Sequence, residues 1–351
     1  MRSAFDLGIF VLSLDFELAW GSRDITTDPA ALLRAARVTR ERVFDGLLGL
    51  LTEHDAVATW ATVGSLFRAG ATRTRDGLYP DVVPPRHAWR TAPWFDGVPD
   101  GTEATAPEFY ARSLVLRVRD AGQEIGSHSF SHPIFGDPGC TRASARTDLA
   151  RCVAEAAAIG VDLRSFVFPR NSVGHLDLLA RHGFTCFRGP EPTWYHHAAV
   201  PPALRRAAHL ADVARAARPP TVLPWRHPNG LWCIPGSASL LPLDGPRRWI
   251  PLSRRVDRCV AGVEQARRDR RICHLWTHPI NLAAAPEAML AGLRTVVGRA
   301  ARLRDAGQLE ILPMAEVAAR AEAVGDAEGS GAGAYARAAT TPAEAARSAR
   351  S

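Results

Sequence analysis

Ile9-Phe10-Val11-Leu12-Ser13-Leu14-Asp15-Phe16-Glu17 is a run of strand length, mostly apolar, that ends abruptly in two acids. A buried parallel strand has this composition, because neither of its faces meets water before the strand runs out. Side chains two apart on a strand share a face, so Asp15 and Glu17 emerge together where the strand meets its loop, and Phe16 turns away. In α/β folds that end of a strand carries the chemistry.

The rest of the chain repeats strand then helix. Further strands are expected at Val57 to Ala61, Glu124 to Ser127, Ser165 to Phe168, Phe184 to Arg188, Arg271 to Thr277 and Gln308 to Leu312, with helices near Ala30 to Thr52, Pro107 to Ala121, Arg142 to Ile159, His175 to His182, Leu252 to Arg268 and Pro286 to Asp305. That order implies a parallel sheet, and seven strands imply an irregular barrel. At 351 residues and 46% hydrophobic, the chain fits one barrel-like domain over residues 1–323. Two segments interrupt the rhythm, about 67–105 and about 190–248. They hold Trp89, Trp94, Phe95, Trp194, Tyr195, Trp225 and Trp232, flat rings suited to the walls of a sugar groove or to plugging the barrel end. Residues 324–351, small and polar, are expected to be disordered.

Far from the two acids lies His128-Ser129-Phe130-Ser131-His132. Three residues separate the histidines, a spacing that on a helical turn puts both rings on one face, able to share an ion. Two neutral imidazoles and a carboxylate, with positions left open for water, make a catalytic metal shell rather than a structural one. In a chain with 12 histidines the pair alone says little, and its weight comes from the two acids.

Four segments together carry a family resemblance: Ser13-Leu-Asp-Phe-Glu17, Glu124-Ile-Gly-Ser-His-Ser-Phe-Ser-His-Pro133, Phe166-Val-Phe-Pro-Arg-Asn171 and His274-Leu-Trp-Thr-His-Pro279. In kind and order they resemble the motifs of the polysaccharide deacetylases of the NodB-homology type, similar to carbohydrate esterase family 4. The resemblance implies a distorted (β/α)7 TIM-like barrel and a metal-dependent hydrolase that removes an N-acyl group, N-acetyl above all, from a sugar, oligosaccharide or polysaccharide precursor. It implies Asp15 as base and His278 as acid, with a divalent ion, zinc expected, on Glu17, His128 and His132. Arg170 follows an apolar strand, from which it could hold the Asp15 carboxylate ionised and oriented. A backbone N–H near Asn171 is the expected oxyanion donor, and Trp276 and Trp232 are the expected substrate contacts. His274, one layer deeper on the same strand face as His278, is expected to be a buried, hydrogen-bonded core residue.

The chain departs from the family pattern in places. Phe16 stands where most members carry a second aspartate, so Glu17 must substitute for it. Pro169 precedes Arg170 instead of following it, and Asn171 stands where an aromatic is usual. Phe16 keeps alive a rival reading, metal-independent hydrolysis of a small amide. A catalytically silent carbohydrate-binding barrel is a second rival, against which an intact Asp15 and His278 argue.

Composition limits the remaining classes. Net charge is +7, and all 43 basic residues are arginines scattered along helix faces, such as Arg34, Arg37, Arg40 and Arg42, without the clustered aromatics of a nucleic-acid surface. The six cysteines show no Cys-x-x-Cys spacing and are expected as reduced core residues. Neither a secretory signal nor an apolar stretch long enough to span a bilayer is evident, so a cytoplasmic protein is expected. Its expected partner is a carbohydrate, with lipid- and nucleotide-linked sugars among the candidates.

Overall fold

The computed structural model describes residues 5–193, 200–243 and 245–328, with the backbone alone at 202, 205, 245, 246 and 325–328. Alternation along β1 (Gly8–Phe16) divides the core in two. Ile9 and Val11 join the small cluster inside the barrel, whereas Phe10, Leu12, Leu14 and Phe16 join the large layer beneath the helices. Every residue of β1 is buried, as its composition requires.

The other strands are β2 (Thr59–Thr62), the short pair β3 (Gly70–Ala71) and β4 (Gly101–Thr102), β5 (Glu124–Ser127), β6 (Ser165–Val167), β7 (Cys186–Gly189), β8 (Trp225–Arg226), β9 (Trp232–Pro235), β10 (Ala238–Ser239), β11 (Ile272–Thr277) and β12 (Leu309–Ile311). The main sheet runs β10-β11-β1-β2-β5-β6-β7-β9-β8, with β12 also on β1, and all its pairings are parallel except β8 with β9. Only Gly236 and Ser237 separate β9 from β10. The N–H of Gly236 donates to Gly189 O on β7 and that of Ser237 to His274 O on β11, so one bent segment joins both ends of the curled sheet. The α/β class and the distorted seven-stranded barrel therefore hold.

The seventh member differs from expectation. It is the bent β9–β10 segment, inside the supposed 190–248 insertion, while β12 pairs only with the first residues of β1. Pro235 and Gly236 break the alternation there, which hides the strand from a periodicity argument.

The helices that clothe the barrel are α1 (Pro29–Val38), which continues through a π turn into α2 (Phe44–Glu53), then α3 (Arg112–Asp120), α4 (Arg142–Ala157), α5 (Leu176–Arg181), α6 (Pro202–Ala214), α7 (Leu252–Asp269), α8 (Pro286–Asp305) and α9 (Met314–Glu328). Asp28 caps α1 by accepting from the N–H of Ala31, with Pro29 at the first helical position. Helix α9 carries order to Glu328, past the expected boundary at 323, and residues 329–351 lie outside the described residues. All six cysteines are free and buried. Among the described residues no helix is long and apolar enough to cross a membrane.

Phe16 is packed against Phe44 and Trp60, with ring centroids 5.9 and 5.6 Å away. Phe16→Asp, which restores the family's usual acid, should therefore bury an unpaired carboxylate in the outer core and lose about 4 kcal/mol or more of stability. Urea denaturation measures this. A variant as stable as the parent would show that this face of β1 does not carry the core.

Candidate active site

Asp15 sits inside the barrel mouth, with both carboxylate oxygens held by one guanidinium. Arg188 Nη1 donates to Oδ1 at 2.6 Å and Nη2 to Oδ2 at 2.7 Å, and both residues are buried. Arg188 lies two residues after inward-facing Cys186 on β7, so the alternation that packs Cys186 aims it at Asp15. Arg188 also donates to Ser13 Oγ at 3.0 Å and to Asn171 Oδ1 at 3.1 Å, and its guanidinium lies 4.6 Å from the Trp276 ring centroid. Burial would raise the Asp15 pKa, but the charge of Arg188, followed by that of His278, pulls it below the ordinary carboxylate value. Asp15 is thereby ionised in a dry place.

Glu17 lies just beyond the end of β1. Its Oε1 is 2.9 Å from His128 Nε2 and 3.2 Å from His132 Nε2. His128 Nδ1 is 2.7 Å from Val167 O and must donate to that carbonyl, so in the neutral ring Nε2 is a lone pair facing a carboxylate oxygen. Two acceptors at that distance repel unless a cation lies between them. Ligands of a tetrahedral ion with bonds of about 2.1 Å stand about 3.4 Å apart, close to the spacing seen. Burial holds His132 neutral, against the pull of Glu17. Burial likewise opposes the charge on Glu17, yet the charge of His278 beside it holds its pKa well below the ordinary value. Two imidazole nitrogens and an ionised carboxylate, within 4.8 Å of one another, fit a divalent metal. Gly21 presses on this carboxylate so closely that a Cβ there would overlap Glu17 Oε2.

The histidines do not stand on a helix, as their spacing suggested. They occupy the loop after β5, where Ser129 (φ 65°) and His132 (φ 63°) are left-handed. Buried Asp148 of α4 holds this loop by accepting from the N–H groups of Phe130 and Ser131 and from the Ser131 hydroxyl. The Trp94 indole N–H donates to Ser131 O at 3.2 Å. Side chains from other segments thus impose a turn that the local sequence does not announce.

His278 follows β11 and is about one quarter exposed, with Nε2 3.6 Å from Asp15 Oδ2 and 3.7 Å from Glu17 Oε1. The Asn281 amide lies 3.3 Å from its Nδ1. When that amide donates, the proton of the neutral ring sits on Nε2, facing the two acids. His274 is the expected core histidine, buried and 2.9 Å from Ser13 Oγ through Nε2, and burial pushes its pKa down to about 3.

Three expectations are corrected. Arg170 does not reach Asp15; it adopts a left-handed conformation (φ 54°) after Pro169 and donates to Asp24 Oδ2 at 2.6 Å, leaving Asp15 to Arg188. The N–H groups of Asn171 and Ser172 donate to Phe168 O and Pro169 O, so neither serves as an oxyanion donor in this conformation. Asn171 is instead near Asp15 through Arg188. Trp232 opens β9 opposite Cys186, at the N-terminal end of its strand, and donates to Glu322 of α9. It lies at the barrel end opposite the acids. Trp276 does stand in the site, beneath Arg188, with its indole N–H given to Glu191. Of the proposed groove aromatics, Trp89 is 44% exposed and stacks on His87, Trp94 is buried, and Trp194 and Tyr195 lie outside the described residues.

Residues 35–186 match the family model described as polysaccharide deacetylase. In this segment the chain resembles the polysaccharide deacetylases. The assignment as a hydrolase follows, amide and ester hydrolysis being the chemistry of that family. The matched segment includes His128 and His132 and leaves Asp15, Glu17 and His278 outside it. No curated protein matches the sequence. Among solved structures, the chain is similar to a protein of Mycobacterium smegmatis described as a polysaccharide deacetylase, at 16% identity and a TM-score of 0.57 over 91% of this chain and 92% of that one. It is also similar to the Puue allantoinase, at 10% identity and a TM-score of 0.59 over 90% of each chain. A third likeness is to a Pseudomonas aeruginosa PAO1 protein described as a polysaccharide deacetylase, at 8% identity and 0.56 over 89% and 90%. These likenesses are of fold.

If Arg188 rather than Arg170 keeps Asp15 ionised, Arg188→Met removes the largest force opposing burial and raises the Asp15 pKa. The acidic limb of the kcat/KM profile should then move up by about one to three pH units, and Arg170→Met should leave it in place. A limb that moves with Arg170 and not with Arg188 would reverse the assignment.

Proposed function

We propose that the chain hydrolyses an N-acyl group, N-acetyl first of all, from a sugar or oligosaccharide, with a divalent ion held by Glu17, His128 and His132. The observation that carries this is the shared Glu17 Oε1, met by two imidazole nitrogens, with Asp15 and His278 beside it. Zinc suits two imidazoles and a carboxylate. When bound, the ion supplies Lewis acidity toward the acyl carbonyl and the attacking water.

The chain's own residues supply the proton movements. Asp15, dry and fixed at both oxygens by Arg188, takes the proton of the attacking water. His278, partly open to solvent and acting as the imidazolium, gives its Nε2 proton to the departing amine, which is too basic to leave without one, and is left as the neutral ring. Trp276 floors the site beneath Arg188 and offers an apolar edge near His278, with ring centroids 5.6 Å apart.

Metal-free hydrolysis of a small amide is the second reading, and one observation favours it: the position of the usual second acid is Phe16, turned into the core. The convergence of Glu17 with both histidines weighs against it, because neutral imidazoles and a buried carboxylate gain most when a cation joins them. A purely binding barrel is disfavoured by the same buried charges, which binding does not need.

Protein purified without chelator should carry close to one equivalent of divalent metal and release acetate from an N-acetylated glycan. His132→Ala should lose both, since two remaining ligands are too few. Elemental analysis with an acetate assay tests this. A metal-free protein that hydrolyses amides at full rate would transfer the reading to its rival.

A further inference from the structure

A groove of about 380 Å³ opens beside the site, between α1 and the turn after His278. Ser22 and Asn281 bound it. Ser22 follows Gly21, which packs on Glu17, and Asn281 touches His278, so the groove begins next to a proposed metal ligand and the proposed acid. Its walls are mostly aliphatic, with Leu32 and Val38 from α1 and Pro242 and Ile280, while Ser22, Arg34 and Asn281 are its polar lining and none of its lining residues is aromatic.

Arg34 stands at the lip. Its neighbours along the helix are engaged, Arg37 with Glu108, Arg40 with Glu103 and Arg42 with Glu287. Arg34 is exposed and makes no hydrogen bond or ion pair among the described residues.

We propose that this groove takes the phosphate and the first alkyl segment of a lipid-type carrier attached to the sugar. The proposal rests on the reading of an N-acyl sugar substrate and extends it to the carrier. Sugar hydroxyls need hydrogen bonds that the Leu32, Val38, Pro242 and Ile280 stretch of the groove does not provide, whereas an alkyl chain loses water there favourably. A free guanidinium is the fitting partner of a phosphate. A nucleotide carrier would seek a ring to stack on and edges to bond, and the groove has no ring.

The test uses the metal-loaded full chain with methyl phosphate, hexyl phosphate and uridine diphosphate as probes in calorimetry, beside acetate release from a carrier-free N-acetylated oligosaccharide. Hexyl phosphate should bind at least tenfold more tightly than methyl phosphate, and Arg34→Ala should weaken it about tenfold while Arg34→Lys restores part of the loss. Acetate release from the carrier-free glycan should be unchanged by Arg34→Ala. Equal affinity for the two alkyl phosphates, or no response to Arg34, overturns the proposal even if the glycan is hydrolysed. Tighter, Arg34-dependent binding of uridine diphosphate than of hexyl phosphate overturns the lipid carrier in favour of a nucleotide. Arg34-dependent hexyl phosphate binding in a protein that releases no acetate would uphold the groove and sink the hydrolytic reading instead.

Discussion

The two-pronged bond between Arg188 and Asp15 is the constraint around which the barrel mouth is arranged. Both partners are buried, and a buried ion pair repays the loss of hydration only when its geometry is near ideal and its remaining donors are used. Here they are: Ser13 and Asn171 accept from the same guanidinium, and Trp276 covers its face. The pair links β7 to β1 across the barrel, and His274 on β11 joins through Ser13. One charge pair thus fixes the mutual position of the strands that deliver the acids and His278. It also divides two neighbouring carboxylates, because Asp15 is bound to a permanent cation and Glu17 is left facing imidazoles.

Strand alternation makes that division possible. Asp15 and Glu17 lie two apart and Phe16 between them points outward into the aromatic layer with Phe44 and Trp60. An acid at position 16 would face that layer rather than the site. The absence of the family's second aspartate is therefore answered by geometry: the longer Glu17 side chain, one step further on, reaches the histidines from the correct face.

Local patterns were legible in the sequence and long-range ones were not. The nine residues of β1 show their burial and their acids directly, since both follow from a period of two. His128 and His132 are recognisable as a pair, but their loop is shaped by Asp148 and Trp94, partners that no local spacing reveals. Arg170 drew attention because it follows Pro169 at a strand end; its left-handed turn sends it to Asp24 instead. Arg188 sat equally visibly at the end of an expected strand, and its parity with Cys186 was the available signal. The β9–β10 segment escaped because Pro235 and Gly236 interrupt its pattern, and only its hydrogen bonds to both neighbours make it a strand.

The central claim is that the two acids of β1 do different work, Glu17 holding a metal and Asp15 moving a proton. Metal stoichiometry and kcat measured together on Asp15→Asn and Glu17→Gln test it most directly. Asp15→Asn should keep its ion and its fold while kcat falls by about a hundredfold or more, and Glu17→Gln should lose metal first. An Asp15→Asn protein stripped of its ion, beside a Glu17→Gln protein that retains it, would contradict the account and exchange the roles of the two carboxylates.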